Sequence, residues 1–534
     1  MSEPAKTLPD DPAALKAMVL QLQTELRAHS LVIQALRIQI ARLKKQRFGA
    51  SSEKIAREIE QLELALEGLE IAQAEGNPEP VSGGADAPPL PDAAEPLSAP
   101  PRRRPRVGEH VPHERHELDP GETCGKCGGA LRLVGEDVSR ILEMVTAQLK
   151  VIEVARLKKS CRCCEAMVQS PAPSRPIPGS MAGPSLLAFI LVSKYDDHLT
   201  LYRLNEIFAR MGADIPDSTL ADWVGGAMRV VTPLYERITA AVMSSERLHA
   251  DDTPVRVLDS SRRQGRIGKG VKEGRIWVYV RDDRPWAGAA PPGAVYYFSA
   301  DRKGEHPRGH LANMKGILQA DAYGGFQELY KPDIHGKARI REAACWAHLR
   351  RQFHDVLTAT QSEFAKEAVE RIGALYDIEA RINGCSAEER LAIRKSHSRP
   401  RVEAFKGFAE EALPQISGKS DLAKAFRYAL RRWQSFTVFL DDGRVAIDNN
   451  AAERALRPVA IGRKNWLFAG NDAGGETLAK AMTIIETAKL NGLDPQAYLA
   501  DILARINDHK ISRLDELLPW NWTPVASLPA KAAA

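Results

Sequence analysis

The chain has 534 residues, with 74 Lys and Arg against 69 Asp and Glu and a formal net charge of +5. That length exceeds what one core usually holds, so several domains are expected, and so small a net charge does not announce a nucleic-acid binder. No apolar run approaches the roughly 20 residues of a membrane helix, and Met1-Ser2-Glu3-Pro4-Ala5-Lys6 lacks a signal-peptide pattern, so cytoplasmic residence is the expectation.

The first clear pattern is a heptad. Leu15, Leu22, His29, Leu36 and Leu43 recur every seventh residue, with Val19, Leu26, Ile33 and Ile40 interleaved. β-Branched residues on one register and leucines on the other favour a parallel two-stranded coil, and hence a dimer. Residues 75 to 107 follow, rich in Pro, Ala and Gly. They hold too little large apolar surface to offset the entropy of ordering, and they read as a linker. Five of the seven cysteines then fall between Cys124 and Cys164. Cys124-Gly125-Lys126-Cys127 and Cys161-Arg162-Cys163-Cys164 are two knuckles whose thiolates can close a tetrahedral zinc site, with one structural zinc expected on Cys124, Cys127, Cys161 and Cys164. Cys163 competes with Cys164 for the fourth place. The alternation Val145, Ala147, Leu149, Val151 predicts a β-hairpin between the knuckles.

From Pro184 to about Ser245 the pattern is helical. Leu201 to Phe208 is amphipathic, Gly212 ends it, and Asp217-Ser218-Thr219 is expected to cap the next helix. Helix, turn, capped helix is the outline of a helix-turn-helix. Strand-like runs come next: Leu248 to Val255, broken by acids, then Arg275 to Val280, Ala294 to Phe298, and Gly316 to Ala320 closed by Asp321. Residues from about Thr358 to Asp441 read as successive amphipathic helices. Asp448-Asn449-Asn450 is expected to cap the helix that carries Glu453. Glu476 to Ile506 reads as one long helical stretch.

Most acids simply solvate a surface, and 69 are available. Asp251 and Asp321 differ because they interrupt or end apolar runs, where an unpaired charge is expensive. Two carboxylates on neighbouring strands and Glu453 on a helix could hold two divalent ions roughly 4 Å apart, the arrangement that serves in-line displacement at phosphorus. Basic residues cluster at Arg102-Arg103-Arg104-Pro105-Arg106 and at Arg262, Arg263, Arg266, Lys269, Lys272 and Arg275, where phosphate contacts become the favoured reading beside such a site.

Four strings carry a resemblance. They are His249-Ala250-Asp251-Asp252-Thr253-Pro254-Val255, Gln319-Ala320-Asp321-Ala322-Tyr323-Gly324-Gly325-Phe326, Ala344 to Phe353 (Ala-Cys-Trp-Ala-His-Leu-Arg-Arg-Gln-Phe) and Asp448 to Pro458 (Asp-Asn-Asn-Ala-Ala-Glu-Arg-Ala-Leu-Arg-Pro). Together they resemble the transposase of the insertion-sequence-66 family, a DDE type with an RNase H-like catalytic core. The family's first motif usually reads Asp-Glu-Thr, and here Asp252 stands in place of the Glu. The resemblance implies Asp251, Asp321 and Glu453 as catalytic and metal-binding residues, with two Mg2+ (or Mn2+) per site. It also implies phosphate contacts from Arg350, Arg351, Arg454, Arg457 and Lys464, with His348 as a further candidate.

The implied fold class is multidomain α/β. A coiled coil (1–75), a linker (76–112), a zinc-ribbon-like module (113–170) and a helix-turn-helix-like helical region (171–245) precede the core. The RNase H-like core occupies 246–357 and 441–490 around a helical insertion (358–440), with a C-terminal helical tail (491–534). The implied partners are DNA (terminal inverted repeats and target), a second copy or a higher oligomer, accessory proteins of the same element, and no membrane. The implied place is the bacterial cytoplasm, at the nucleoid. Two other readings compete: a zinc-containing DNA-binding regulator without catalysis, and another RNase H-like nuclease.

Overall fold

The computed structural model describes residues 106–107, 111, 113–145, 148–259, 270–321, 323–332 and 338–524. The predicted coiled coil and most of the linker lie outside these residues, as do Arg262, Arg263, Arg266 and Lys269.

The cysteine module is a small sheet. Its strands follow β1 (Arg106–Val107): β2 (His113–Leu118), β3 (Leu131–Val145), β4 (Gln148–Cys161) and β5 (Met167–Gln169). β3 and β4 form the predicted hairpin, antiparallel from Val145↔Gln148 to Leu131↔Cys161, while β2 runs parallel to β4. The period-2 pattern explains what the hairpin rests on. Leu142, Leu149 and Val151 are buried and join Leu186, Leu187 and Ile190 of α1 (Pro184–Tyr195) in one core. Glu143 locks this junction, because its Oε1 accepts from the backbone N–H groups of Ser185 and Leu186 at 2.8 and 3.1 Å. A carboxylate from another element thus satisfies the orphan donors at the helix start. Gly183 leaves room for this carboxylate, since an added Cβ would fall 2.0 Å from Glu143 Oε2 and push it from its place.

Next come α2 (Leu201–Arg210), β6 (Ala213–Asp214), α3 (Asp217–Val230) and α4 (Thr232–Met243). The expected cap at Asp217 is not made. Pro216 is the N-cap residue of α3 and Asp217 is already helical. Its carboxylate instead accepts from Asn205 Nδ2 at 3.1 Å, tying α3 to α2.

The central sheet is built from β7 (Arg247–Leu258), β8 (Val271–Arg281), β9 (Gly293–Ser299), β10 (Gly316–Ala320) and β11 (Ile340–Ala344), with α5 (Glu305–His310) between β9 and β10. Spatial order is β11-β10-β7-β8-β9. The first three strands in sequence form an antiparallel meander, and β10 and β11 run parallel to β7. After β11 the chain leaves the sheet through α6 (Trp346–Thr360), α7 (Glu363–Arg381), α8 (Ala387–Ile393), α9 (Arg399–Ala412), α10 (Asp421–Arg431) and α11 (Trp433–Thr437). These helices hold an aromatic core of their own around Trp346, Phe353, Phe405, Phe426 and Phe436. Arg394, fully buried, is matched there by Glu379 at 2.6 Å and by the carbonyl of Phe439 at 2.9 Å. A charge so deep is tolerable only because its donors are all aimed at acceptors.

The chain returns through α12 (Asn450–Asn465), α13 (Asp472–Leu490) and α14 (Pro495–Arg505). The outer edge of β9 is closed by α13, whose Thr483 and Thr487 hydroxyls accept from the N–H groups of Tyr296 and Ala294. An edge strand is thereby protected from further pairing. The long helical stretch expected from Glu476 to Ile506 is made of two helices. Gly492 has φ +74°, and Asp494 caps the new helix by accepting from Ala497 N–H at 2.6 Å. Among the described residues, no helix is long and apolar enough to cross a membrane.

Candidate active site

Three neighbouring elements bring the predicted carboxylates toward one end of the sheet. β10 pairs with β7 in parallel, with Ala320 opposite Ala250, so Asp321 and Asp251 follow as side-by-side successors. Glu453 comes from the first turn of α12. What fixes α12 over β7 is the segment just before it. The side chain of Gln319, buried in β10, pairs with that segment like a short strand: its Nε2 donates to Ala446 O at 2.8 Å, and its Oε1 accepts from Ala446 N–H at 3.0 Å. Trp346 N–H donates to Ile447 O. Asn449 Nδ2 donates to Ala250 O at 2.9 Å, and Asn449 N–H donates to Cys345 Sγ at 3.2 Å.

Asn449 therefore does not cap its helix through its side chain, contrary to expectation. It is fully buried and spends its amide on the strand that carries Asp251. Its Oδ1 also faces His249 Nδ1 at 3.2 Å. Since Nδ2 is the group donating to Ala250, Oδ1 must accept, which assigns the proton to His249 Nδ1. Burial drives the His249 pKa down to about 4, so the ring is neutral. The start of α12 is instead served by Asp448, whose Oδ1 accepts from Asn450 N–H at 3.0 Å.

Electrostatics record the convergence. The Asp251 carboxyl is pushed up to about 7, by burial first and then by the charges of Asp321, Asp252 and Glu453, against the pull of the Asp252 N–H. Buried carboxylates of like charge oppose one another's ionisation. Glu453 Oε1 is buried and without a hydrogen-bond partner. Its Oε2 lies 3.3 Å from Arg351, and Oε1 lies 3.5 Å from His348 Nδ1, itself unpartnered. The group of ligand atoms within 4.8 Å of one another that includes Glu453 is formed with His348 and Cys345. Asp251 and Asp321 stand outside that group.

Asp252 points elsewhere. Its side chain is 1% exposed and forms a fork with Arg302, whose Nη2 and Nε lie 2.8 and 3.0 Å from the two carboxylate oxygens, while Arg275 Nη1 approaches to 3.3 Å. The Arg302 guanidinium lies over the Tyr323 ring at 4.1 Å, and the Tyr323 N–H donates to Asp321 Oδ1. Sequence reasoning missed Arg302 and the bracing role of Asn449. Neither sits in a pattern of its own; only the register of β7 against its neighbours brings them in. Two of the basic residues after β7 are also committed, Arg275 to Asp252 and Lys272 to Asp472. Of the expected phosphate-binding residues, Arg350, Arg454, Arg457 and Lys464 are exposed, while Arg351 is taken up by Glu453.

The cysteines make a second cluster. Cys124, Cys127, Cys161 and Cys164 place their sulfurs within 4.8 Å of one another, with closest pairs at 3.2 to 3.6 Å. A tetrahedron of roughly 2.3 Å zinc–sulfur bonds has edges of roughly 3.8 Å, so the donor set fits that ion. The N–H groups of Cys164 and Cys163 and the neighbouring thiol of Cys127 lower the Cys161 pKa to about 6, favouring the thiolate a metal requires. Cys163 is not one of the four.

Comparison with known proteins agrees along nearly the whole length. A family model described as "Transposase IS66 family" matches residues 179–477, and one described as "IS66 C-terminal element" matches 483–520. Residues 122–165 match "zinc-finger binding domain of transposase IS66", and 35–115 match "Transposase C of IS166 homeodomain". Among curated relatives, the uncharacterized protein y4hP of Sinorhizobium fredii is 41% identical over 515 residues, covering 94% of this chain and 91% of the relative. The uncharacterized protein y4qI of the same organism is 34% identical over 550 residues, covering 98% and 99%. With the transposase model spanning more than half of it and relatives matched end to end, the chain belongs to the IS66 family of transposases.

Proposed function

We propose that this transposase cleaves the ends of its element and joins them to target DNA at a site formed by Asp251, Asp321 and Glu453. The observation that carries the reading is the approach of three acids from β7, the end of β10 and α12, close enough for two of them to oppose ionisation of the third. Strand order β11-β10-β7-β8-β9, with the last two strands in sequence parallel to the first, supports an RNase H-like core with 358–440 as an insertion.

The residues fit divalent cations of the Mg2+ or Mn2+ kind: the donors are hard oxygens, and one buried carboxylate oxygen of Glu453 lacks a hydrogen-bond partner. Two such ions, when bound, would activate the attacking oxygen and stabilise the leaving one. The chain's own groups do the rest. Asp251 must shed its proton to serve as a ligand. Arg351 holds Glu453 while no cation does. Arg350, Arg454, Arg457 and Lys464 offer exposed charge to phosphates, and Asp252 keeps Arg302 and Tyr323 in place behind Asp321. Zinc on the four cysteines would be structural. The heptads of residues 15–43 would pair two chains, so that two sites hold two inverted repeats, with accessory proteins of the element as further partners at the nucleoid.

The test is magnesium-dependent cleavage of a labelled duplex taken from the DNA flanking the gene, with binding followed by gel shift. Asp251→Asn, Asp321→Asn and Glu453→Gln should each lower cleavage by at least about a hundredfold, since each removes several kcal/mol of charge stabilisation. Duplex affinity should change by no more than a few fold. Full cleavage by Glu453→Gln would end the reading.

A further inference from the structure

The helical region carries a basic depression for which the site above has no use. Lys424, Arg427, Tyr428, Arg431 and Arg432 line an open hollow of about 650 Å³ on α10. Helical spacing puts Lys424, Arg427, Tyr428 and Arg431 on one face, while Leu422, Ala425, Phe426 and Ala429 are buried on the other. Four cations are gathered there, and among the described residues two of them have an acidic partner and two do not. Lys424 pairs with Asp421 at 2.7 Å, a neighbour on the same turn, and Arg432 pairs with Glu342. Among the described residues, the Arg427 side chain donates to the Gly418 carbonyl alone. Among the described residues, no acid lies within ion-pair distance of Arg427 or Arg431. Cations held this close repel one another; Arg432 is built into the bundle, its guanidinium 5.4 Å from the centre of the Tyr428 ring, whereas Lys424 and Arg431 reach solvent.

Position gives the cluster a use. Arg432 is anchored to Glu342 of β11, and Glu342 lies opposite Leu318 of β10, three residues before Asp321. At about 3.3 Å per residue, the anchor is roughly 10 Å along the sheet from Asp321, about three nucleotides of duplex. The Tyr428 hydroxyl lies at the inner wall, and its pKa is raised by burial first and then by Asp321 and Glu342, against the pull of Arg432.

We propose that Lys424, Arg427 and Arg431 form a phosphate-backbone track that leads duplex DNA toward Asp321. This rests on the transposase reading for its biological role. The ligand chemistry is the sugar–phosphate backbone, whether of the element end or of the target. Sequence specificity is not expected from it, because phosphate contacts position a duplex without reading bases.

The experiment uses the full chain and a Lys424→Ala/Arg427→Ala/Arg431→Ala variant. All three changes lie on the outer face of α10, and an Arg427→Lys/Arg431→Lys variant controls for shape. The first measurement is affinity for a random-sequence duplex across a salt series. The plot of log affinity against log salt should become shallower by about 1 for each cation removed, and the lysine variant should keep the original slope. The second compares cleavage of the flanking-DNA duplex with joining to a plasmid. Loss of end binding and cleavage assigns the track to the element end. Intact cleavage with at least tenfold weaker joining assigns it to the target. A variant matching the unaltered chain in slope, cleavage and joining overturns the proposal. If the unaltered chain binds duplex but never cuts the flanking DNA, the transposition reading fails while the salt slope still decides the track.

Discussion

The cysteine cluster and the carboxylate cluster are both collections of side chains whose donors suit a metal, and they are assembled in opposite ways. Each pair of cysteines belongs to one tight turn, and one hairpin brings the two turns together: Leu131 pairs with Cys161, so closing β3 on β4 closes the site. The carboxylates come from positions 251, 321 and 453, and they approach only after a five-stranded sheet has formed and α12 has been pinned by Gln319, Asn449 and Cys345. One site is local and helps to fold its module. The other is remote in sequence and depends on a fold that exists without it. In the first, a bound zinc would supply stability; in the second, stability would supply the place for the proposed ions.

The sharpest way to break this contrast is to remove one ligand from the local site. Cys124→Ser should reduce zinc content from one per chain to near zero and unfold residues 113–170, because binding at a closed site is worth on the order of 10 kcal/mol of folding energy. Amide hydrogen exchange should rise to the unprotected limit along β3 and β4 while β7, β8 and α13 keep their protection. Freshly purified, reduced wild-type protein without zinc would reject the premise.

A smaller effect is expected at Asp252, the acid adjacent to the remote site. Asp252→Asn leaves Arg302 without its counter-charge and Arg275 with Glu273 alone, at a position where the carboxylate is 1% exposed. Arg302 itself is 41% exposed, so solvent absorbs part of the loss. A destabilisation of about 1–3 kcal/mol is expected by urea unfolding, below the 3–5 kcal/mol of a fully buried pair. Cleavage at saturating magnesium should fall less than for Asp251→Asn. The reverse order of the two variants would move the first metal ligand by one residue.

The same local-against-remote difference explains what the sequence could reveal. The knuckles, the hairpin between them, the strands around Asp251 and Asp321 and the helical stretch between Asp321 and Glu453 all have signals confined to a few residues: spacing, alternation or helical period. The functions of Asn449 and Arg302 have none. Asn449 in an Asp-Asn-Asn run reads as a helix cap by local chemistry, yet tertiary contact with Ala250 and Cys345 takes over both its side-chain amide and its backbone N–H. The helix break at Gly492 was hidden for a related reason: apolar periodicity continues through Leu493, Tyr498 and Ile502 because both helices face one core. A basic helix face such as that of α10 looks like ordinary solvated surface until its neighbour on β11 is known.

The finest test of the contrast is whether the remote site is a burden on its own fold. The Asp251 carboxyl titrates at about 7 in the folded chain against an ordinary 3.8. A raised carboxyl pKa means that ionisation favours the unfolded chain, where the charge is solvated. The penalty is therefore absent below about pH 4, grows as pH rises between 4 and 7, and is complete above 7. Asp251→Asn removes the ionisable group, so without added magnesium the variant should be the more stable protein at pH 8, by roughly 1–4 kcal/mol, and nearly equal to the unaltered chain at pH 4. Magnesium should reverse the order at pH 8, because a cation that binds only the intact carboxylates stabilises only that folded state. Thermal unfolding of the catalytic core at the two pH values, in zinc-replete buffer with and without magnesium, measures both signs. A stability difference that does not change with pH would mean that Asp251 is neither desolvated nor held among like charges. If the local site is instead what the ion builds, no cysteine variant should gain stability under any of these conditions.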